Sequence, residues 1–112
     1  MFGFIKKMFG IEEVDIESVL RQGAVIIDVR TPQEFKSGHP KGAVNIPLQK
    51  IKNSTLKIKK YKKPVITCCA SGRRSGTAAS ILKNAGIEVY NGGGWKKVST
   101  AVRNKSKKKV VA

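Results

Sequence analysis

Pro64-Val65-Ile66-Thr67-Cys68-Cys69-Ala70-Ser71-Gly72-Arg73-Arg74-Ser75 is the stretch on which the fold turns. Pro64 to Cys68 is a short apolar, β-branched run, as expected for a strand buried on both faces. From Arg73 to Asn84 the pattern changes to helical spacing, with small or apolar residues at Ala78, Ala79, Ile81, Leu82 and then Ala85, and Gly86 is placed to stop the helix. Strand, short loop and helix in that order are the repeating unit of an α/β fold.

The same unit recurs on either side. Upstream, residues 11–20 carry Val14, Val19 and Leu20 and suit a short strand followed by a first helix ending near Gly23. Ala24-Val25-Ile26-Ile27-Asp28-Val29-Arg30 reads as another buried strand. Thr31-Pro32-Gln33-Glu34 is a helix start, with Thr at the N-cap, Pro at the first position and Glu three after the cap; Gly38 ends that helix. Ala43-Val44-Asn45-Ile46 is a further short strand, and Pro47 opens a helix through a Lys-rich stretch. Downstream, Ile87-Glu88-Val89-Tyr90 is the last strand, and Gly92-Gly93-Gly94-Trp95 is expected to turn the chain into a final helix. This alternation calls for a mostly parallel sheet. The domain spans residues 11–104, between an amphipathic lead at 1–10 and a basic tail at 105–112.

In parallel sheets, ligands bind at the carboxyl ends of the strands, where the loop from Cys68 to Ser75 lies. Loop amides and the first N–H groups of the following helix converge near Cys69, and the helix N-terminus adds partial positive charge. Arg73 and Arg74 contribute more. All of these favour thiolate over thiol, so the Cys69 pKa is expected below that of a free cysteine. A reactive, anion-binding cysteine follows from these residues alone.

Cys69-Ala70-Ser71-Gly72-Arg73-Arg74-Ser75 resembles the Cys-x-x-Gly-x-Arg-Ser active-site loop of the rhodanese family. Asp28-Val29-Arg30, Glu34-Phe35 and the run from Gly38 to Pro47 resemble that family's second signature, in the same order. The resemblance runs from about Val14 to Trp95; Pro40-Lys41 departs from the usual Ile-Pro and alters a turn without touching an expected catalytic position. It implies a five-stranded, mostly parallel sheet with helices on both faces. It also implies two-step sulfur transfer without metal or organic cofactor. Cys69 takes the outer sulfur of thiosulfate as a persulfide, and cyanide, a thiol or a protein acceptor then removes it. The substrate-binding loop would be Ala70, Ser71, Gly72, Arg73 and Arg74, and Asp28, Arg30, Glu34 and Ser75 would brace it. Arg74 is expected to pair with Asp28 or Glu34, while Arg73 faces solvent and draws in anionic substrate.

A second register is formally available. Cys68 and Arg74 satisfy Cys-x5-Arg, the spacing of phosphatases and arsenate reductases that share the rhodanese fold. Counting from Cys68, however, puts Ser71 where the glycine belongs, and Thr67 precedes it where those phosphatases carry His. Cys68 also continues a buried strand, so it is read as a small hydrophobe. A non-enzymatic alternative is a catalytically idle rhodanese-like module that binds a partner or polyanion, against which the intact Cys69 loop argues.

The remaining residues are read structurally. His39 belongs to a turn and makes hydrogen bonds, since an already ionised cysteine needs no general base. Trp95 packs beside the loop. Gly92 to Gly94 lack the Lys-Ser/Thr of a phosphate loop. Two cysteines with one histidine are too few for a structural zinc site, and adjacent cysteines fit disulfide geometry poorly.

Charge is the unusual feature of these 112 residues: 23 Lys and Arg against 7 Asp and Glu leave a net +16. Seven lysines lie between Lys50 and Lys63, and five basic residues lie between Arg103 and Lys109. These runs read as solvated surface. Only Tyr61 accompanies them as an aromatic, so no specific nucleic-acid partner is expected. No apolar run approaches the ~20 residues of a membrane-spanning helix. The opening ten residues lack the order of a secretory signal, so a cytoplasmic location is expected. Phe2, Ile5, Met8 and Phe9 would share one helix face, expected to dock on the domain or stay disordered rather than lie on a membrane surface.

Overall fold

The computed structural model describes residues 15–111, with side chains as far as Ser106. The expected amphipathic lead lies outside the described residues, as does most of the short strand expected before the first helix.

Four parallel strands form one sheet: β1 (Val25–Asp28), β2 (Val44–Asn45), β3 (Val65–Cys69) and β4 (Val89–Gly94), in the order β2-β1-β3-β4. Helices α1 (Ile16–Arg21) and α2 (Pro32–Lys36) flank β1, and α3 (Leu48–Ile51), a 3-10 turn and α4 (Thr55–Lys59) follow β2. Helix α5 (Arg73–Asn84) links β3 to β4, and α6 (Trp95–Val111) closes the described chain.

Side chains alternate across a strand, so β1 and β3 build two cores at once. Ile27, Val29, Val65 and Cys69 join Ile51 of α3, Ile58 of α4 and Ala78 and Leu82 of α5 on one face. Ile26, Ile66 and Cys68 join Ile16, Val19 and Leu20 of α1 and Val98 and Ala101 of α6 on the other. Helices therefore cover both faces, and the fold is α/β with a parallel sheet.

Where the sequence implied five strands, the described residues hold four. The remaining one was expected around Val14, outside them. Two strands also differ in extent. β1 stops at Asp28 because the Arg30 amide donates to the Asp28 carboxylate (3.1 Å) instead of to a neighbouring strand. β4 starts late because the Ile87 amide still bonds to Leu82 of the preceding helix. It then runs through Gly92–Gly94, which were expected to form a turn. A Cβ on Gly92 would stand 2.7 Å from Val98 and 2.9 Å from the Thr67 carbonyl, so a glycine is what lets this strand pass between sheet and α6.

Helix α2 buries no side chain and is held by its ends. Thr31 Oγ1 accepts from the Glu34 amide at 3.2 Å, and Glu34 Oε1 accepts from the Thr31 amide at 2.9 Å, a reciprocal capping box. At its far end, the ring of Trp95 occupies the space that a Cβ on Gly38 would need (2.9 Å).

Candidate active site

β1 connects towards β2 while β3 connects towards β4, so the two connections diverge and open a crevice at the carboxyl ends of β1 and β3. The loop from Cys69 to Gly72 lies there. Gly72 has φ +103°, a left-handed conformation that costs glycine nothing, and a Cβ on it would approach Gly93 Cα at 3.4 Å. That turn brings the start of α5 back over Cys69.

Gly72 occupies the N-cap position of α5 and offers no capping side chain. The Cys69 sulfur stands in instead. It accepts the Gly72 N–H at 3.0 Å and the Ser75 N–H at 3.3 Å, two of the donors a helix start leaves unpaired. Burial pushes this thiol up. The Ser75 hydroxyl and the N–H groups of Ser75, Gly72 and Ser71 outweigh it, and the pKa falls below the ordinary value. Backbone dipoles thus favour the anionic form of this sulfur.

Cys68 has the opposite setting. It is as fully buried as Cys69 but in the core that α1 and α6 cover, where burial, then Asp28, pushes its thiol up. Its sulfur is on the far side of the sheet from the loop, which leaves the Cys68 register without an anion cradle.

Arg74, half-buried, turns to α2 and forms a two-point ion pair with Glu34, at 2.9 Å to Oε1 and 3.1 Å to Oε2. Glu34, and not Asp28, is its partner. The Arg74 guanidinium, then the Thr31 amide, hold the Glu34 carboxyl down at about 2. Ala70, Ser71 and Arg73 are exposed on the rim.

Asp28 and Arg30 are buried and serve each other. Arg30 donates to both Asp28 oxygens (2.7–3.1 Å), donates to the Gly38 carbonyl and lies 4.7 Å over the Trp95 ring. None of these bonds reaches the loop at 69–75. Their side chains sit two apart at a strand end, so the pair closes locally and braces the β1–α2 turn. From this side of the site, the loop is held through α2 and its Glu34. His39 donates from Nδ1 to the Phe35 carbonyl at 2.7 Å and stacks on Phe35.

One residue at the site is only faintly marked in the sequence. Asn91 of β4 accepts the Ser75 hydroxyl hydrogen at 2.6 Å. Its sole sequence signal is a polar side chain just before three glycines. The strand register that sets it beside Thr67 and the loop is a tertiary fact. Among the described residues, no group of three or more His, Cys, Asp or Glu is placed to hold a metal ion, and no helix is long and apolar enough to cross a membrane.

A family model described as a rhodanese-like domain matches residues 14–101. The uncharacterised YqhL protein of Bacillus subtilis is 45% identical over 84 residues, which cover 73% of this chain and 66% of that protein's length. The thiosulfate sulfurtransferase PspE of Escherichia coli is 37% identical over 75 residues, covering 65% of this chain and 72% of that one. Among solved structures, a rhodanese with anions from E. coli superposes with a TM-score of 0.62 at 38% identity, over 66% of this chain and 89% of that chain.

Proposed function

This chain belongs to the rhodanese-like domain family, and we propose that it is a sulfurtransferase that carries a sulfane sulfur on Cys69. The observation that carries this reading is the Cys69 sulfur itself, buried yet held by the amides of Gly72 and Ser75 with its pKa lowered. The likeness to PspE, a thiosulfate sulfurtransferase, supports it.

In the first step the Cys69 thiolate attacks the outer sulfur of thiosulfate. A sulfur–sulfur bond forms to Cys69, the bond to the sulfonate sulfur breaks, and sulfite leaves with that electron pair. The new persulfide keeps one negative charge on its outer sulfur. The amides from Ala70 to Arg74 are the groups that would steady it, as fixed dipoles that need no rearrangement. In the second step cyanide or a thiolate attacks the outer sulfur, the Cys69 thiolate leaves, and the acceptor departs with the sulfur. Thiosulfate or a persulfide is the donor. Arg73, exposed on the rim, draws anionic donors in, and the Arg74–Glu34 pair fixes the first turn of α5 under the loop.

Turnover of thiosulfate and cyanide, read as paired release of sulfite and thiocyanate, tests this. Cys69→Ala should abolish it and Cys68→Ala should leave it within a few-fold. Full turnover by Cys69→Ala would overturn the reading.

A further inference from the structure

Ser75 touches the Cys69 sulfur through its hydroxyl as well as its amide, with Oγ 3.4 Å from Sγ. A hydroxyl has one hydrogen to give. On its other side, Ser75 Oγ lies 2.6 Å from Asn91 Oδ1. Which atom of the Asn91 amide faces Ser75 is fixed by two backbone groups of unambiguous polarity. The Gly93 N–H donates to Oδ1 at 3.0 Å, and Nδ2 donates to the Gly72 carbonyl at 3.2 Å. Turned over, the amide would set N–H against N–H and oxygen against oxygen. Asn91 therefore presents an acceptor, and in the thiol form the Ser75 hydrogen goes to it.

That arrangement leaves Ser75 Oγ facing sulfur with lone pairs. It suits a thiol, whose S–H can donate, and opposes a thiolate. We propose that Asn91 is a positioning residue that competes with Cys69 for the Ser75 hydrogen, so that this hydroxyl changes partner as the sulfur gains and loses negative charge. The inference rests on Cys69 being the nucleophile. With thiolate present, the hydrogen turns to Sγ. Once an outer sulfur is carried, the charge sits on that outer atom and the hydrogen returns to Asn91. In returning, it restores the link through Asn91 to the Gly72 carbonyl. The competition also keeps the thiolate more basic than the loop amides and a free serine hydroxyl would make it, and a more basic thiolate is the stronger nucleophile.

The other titratable groups around Cys69 are Cys68 on the same strand, with Asp28 and Arg30 beyond it, and Arg74 of α5 with its partner Glu34 of α2. Asn91→Ala removes and adds no titratable group. Asn91 is exposed, so removing its side chain spares the core, and Ser75→Ala keeps the amide that bonds to sulfur.

The test is the pH dependence of Cys69 alkylation by iodoacetamide in the full chain, for the parent protein, Asn91→Ala, Ser75→Ala and the double variant. Asn91→Ala should move the thiolate titration to lower pH, and below the parent midpoint should speed alkylation roughly threefold to tenfold. In the Ser75→Ala background the same substitution should change the rate by less than about 1.5-fold, because no hydrogen is left to release. Asn91→Asp, which keeps an acceptor for Ser75, should not move the titration down. An unchanged or raised midpoint in Asn91→Ala overturns the proposal, as does an equal effect without the Ser75 hydroxyl. Alkylation uses no sulfur donor, so this result and the sulfur-transfer assay can fail separately.

Discussion

Cys68 and Cys69 are neighbours in the chain, yet their sulfurs lie in different cores on opposite faces of the sheet. The period of a strand does this: one residue faces α1 and α6, the next faces the start of α5. The adjacent pair is therefore split between two settings, one thiol among apolar side chains and one against the N–H groups at the start of α5.

It follows that native protein should take up one alkyl group with brief iodoacetamide treatment, on Cys69, and the second only after unfolding. Peptide mapping reads this directly. Early modification of Cys68 in folded protein would contradict the geometry.

The Arg74–Glu34 bridge predicts an acid-sensitive component of stability. Glu34 is depressed from an ordinary 4.5 to about 2, so its contribution is present above pH 4.5 and is lost as pH falls towards 2. Both side chains are partly exposed, 36% and 37%, and solvent screening limits the pair to about 1 kcal/mol. Urea denaturation of Glu34→Gln should show a loss of that size at neutral pH and a flatter profile between pH 4.5 and 2. A parallel profile in parent and variant would refute it.

Much of this site was legible because its parts are local. The capping box needs only Thr31 and Glu34, three residues apart, and the start of α5 needs only the loop that precedes it. Contacts between distant segments were not. Arg74 had two candidate partners, and only the placement of α2 over the carboxyl end of the sheet selects Glu34. Asn91 was missed because its role depends on the β3–β4 register. Gly92–Gly94 read as a turn because glycines usually mark one; here Gly92 answers to the crowding of Val98, Ile66 and Thr67, Gly93 to a positive φ of +83°, and Gly94 to the Ala70 carbonyl, 3.2 Å from a Cβ there.

That crowding makes Gly92→Ala a severe change. A methyl group would meet the Thr67 carbonyl at 2.9 Å as well as two side chains, and backbone cannot step aside. Loss of about 2–3 kcal/mol is expected, as for other overpacked sites. A loss under about 0.5 kcal/mol in urea denaturation would mean that β4 runs elsewhere.

Arg73, exposed at the rim, and Arg74, tied to Glu34, should separate kinetically. Arg73→Ala should raise the KM for thiosulfate a few-fold with little change in kcat, and rising salt should shrink the difference. Arg74→Ala should lower kcat as well, because the first turn of α5 loses its anchor. Identical kinetics for the two variants would remove the distinction drawn between them.

The central claim is that sulfur is carried on Cys69. Mass spectrometry of the intact protein after incubation with thiosulfate tests it most directly. The account predicts a gain of about 32 Da, one sulfur atom, in the parent and in Cys68→Ala, and none in Cys69→Ala. A gain that persists in Cys69→Ala, or one that requires Cys68, would contradict it.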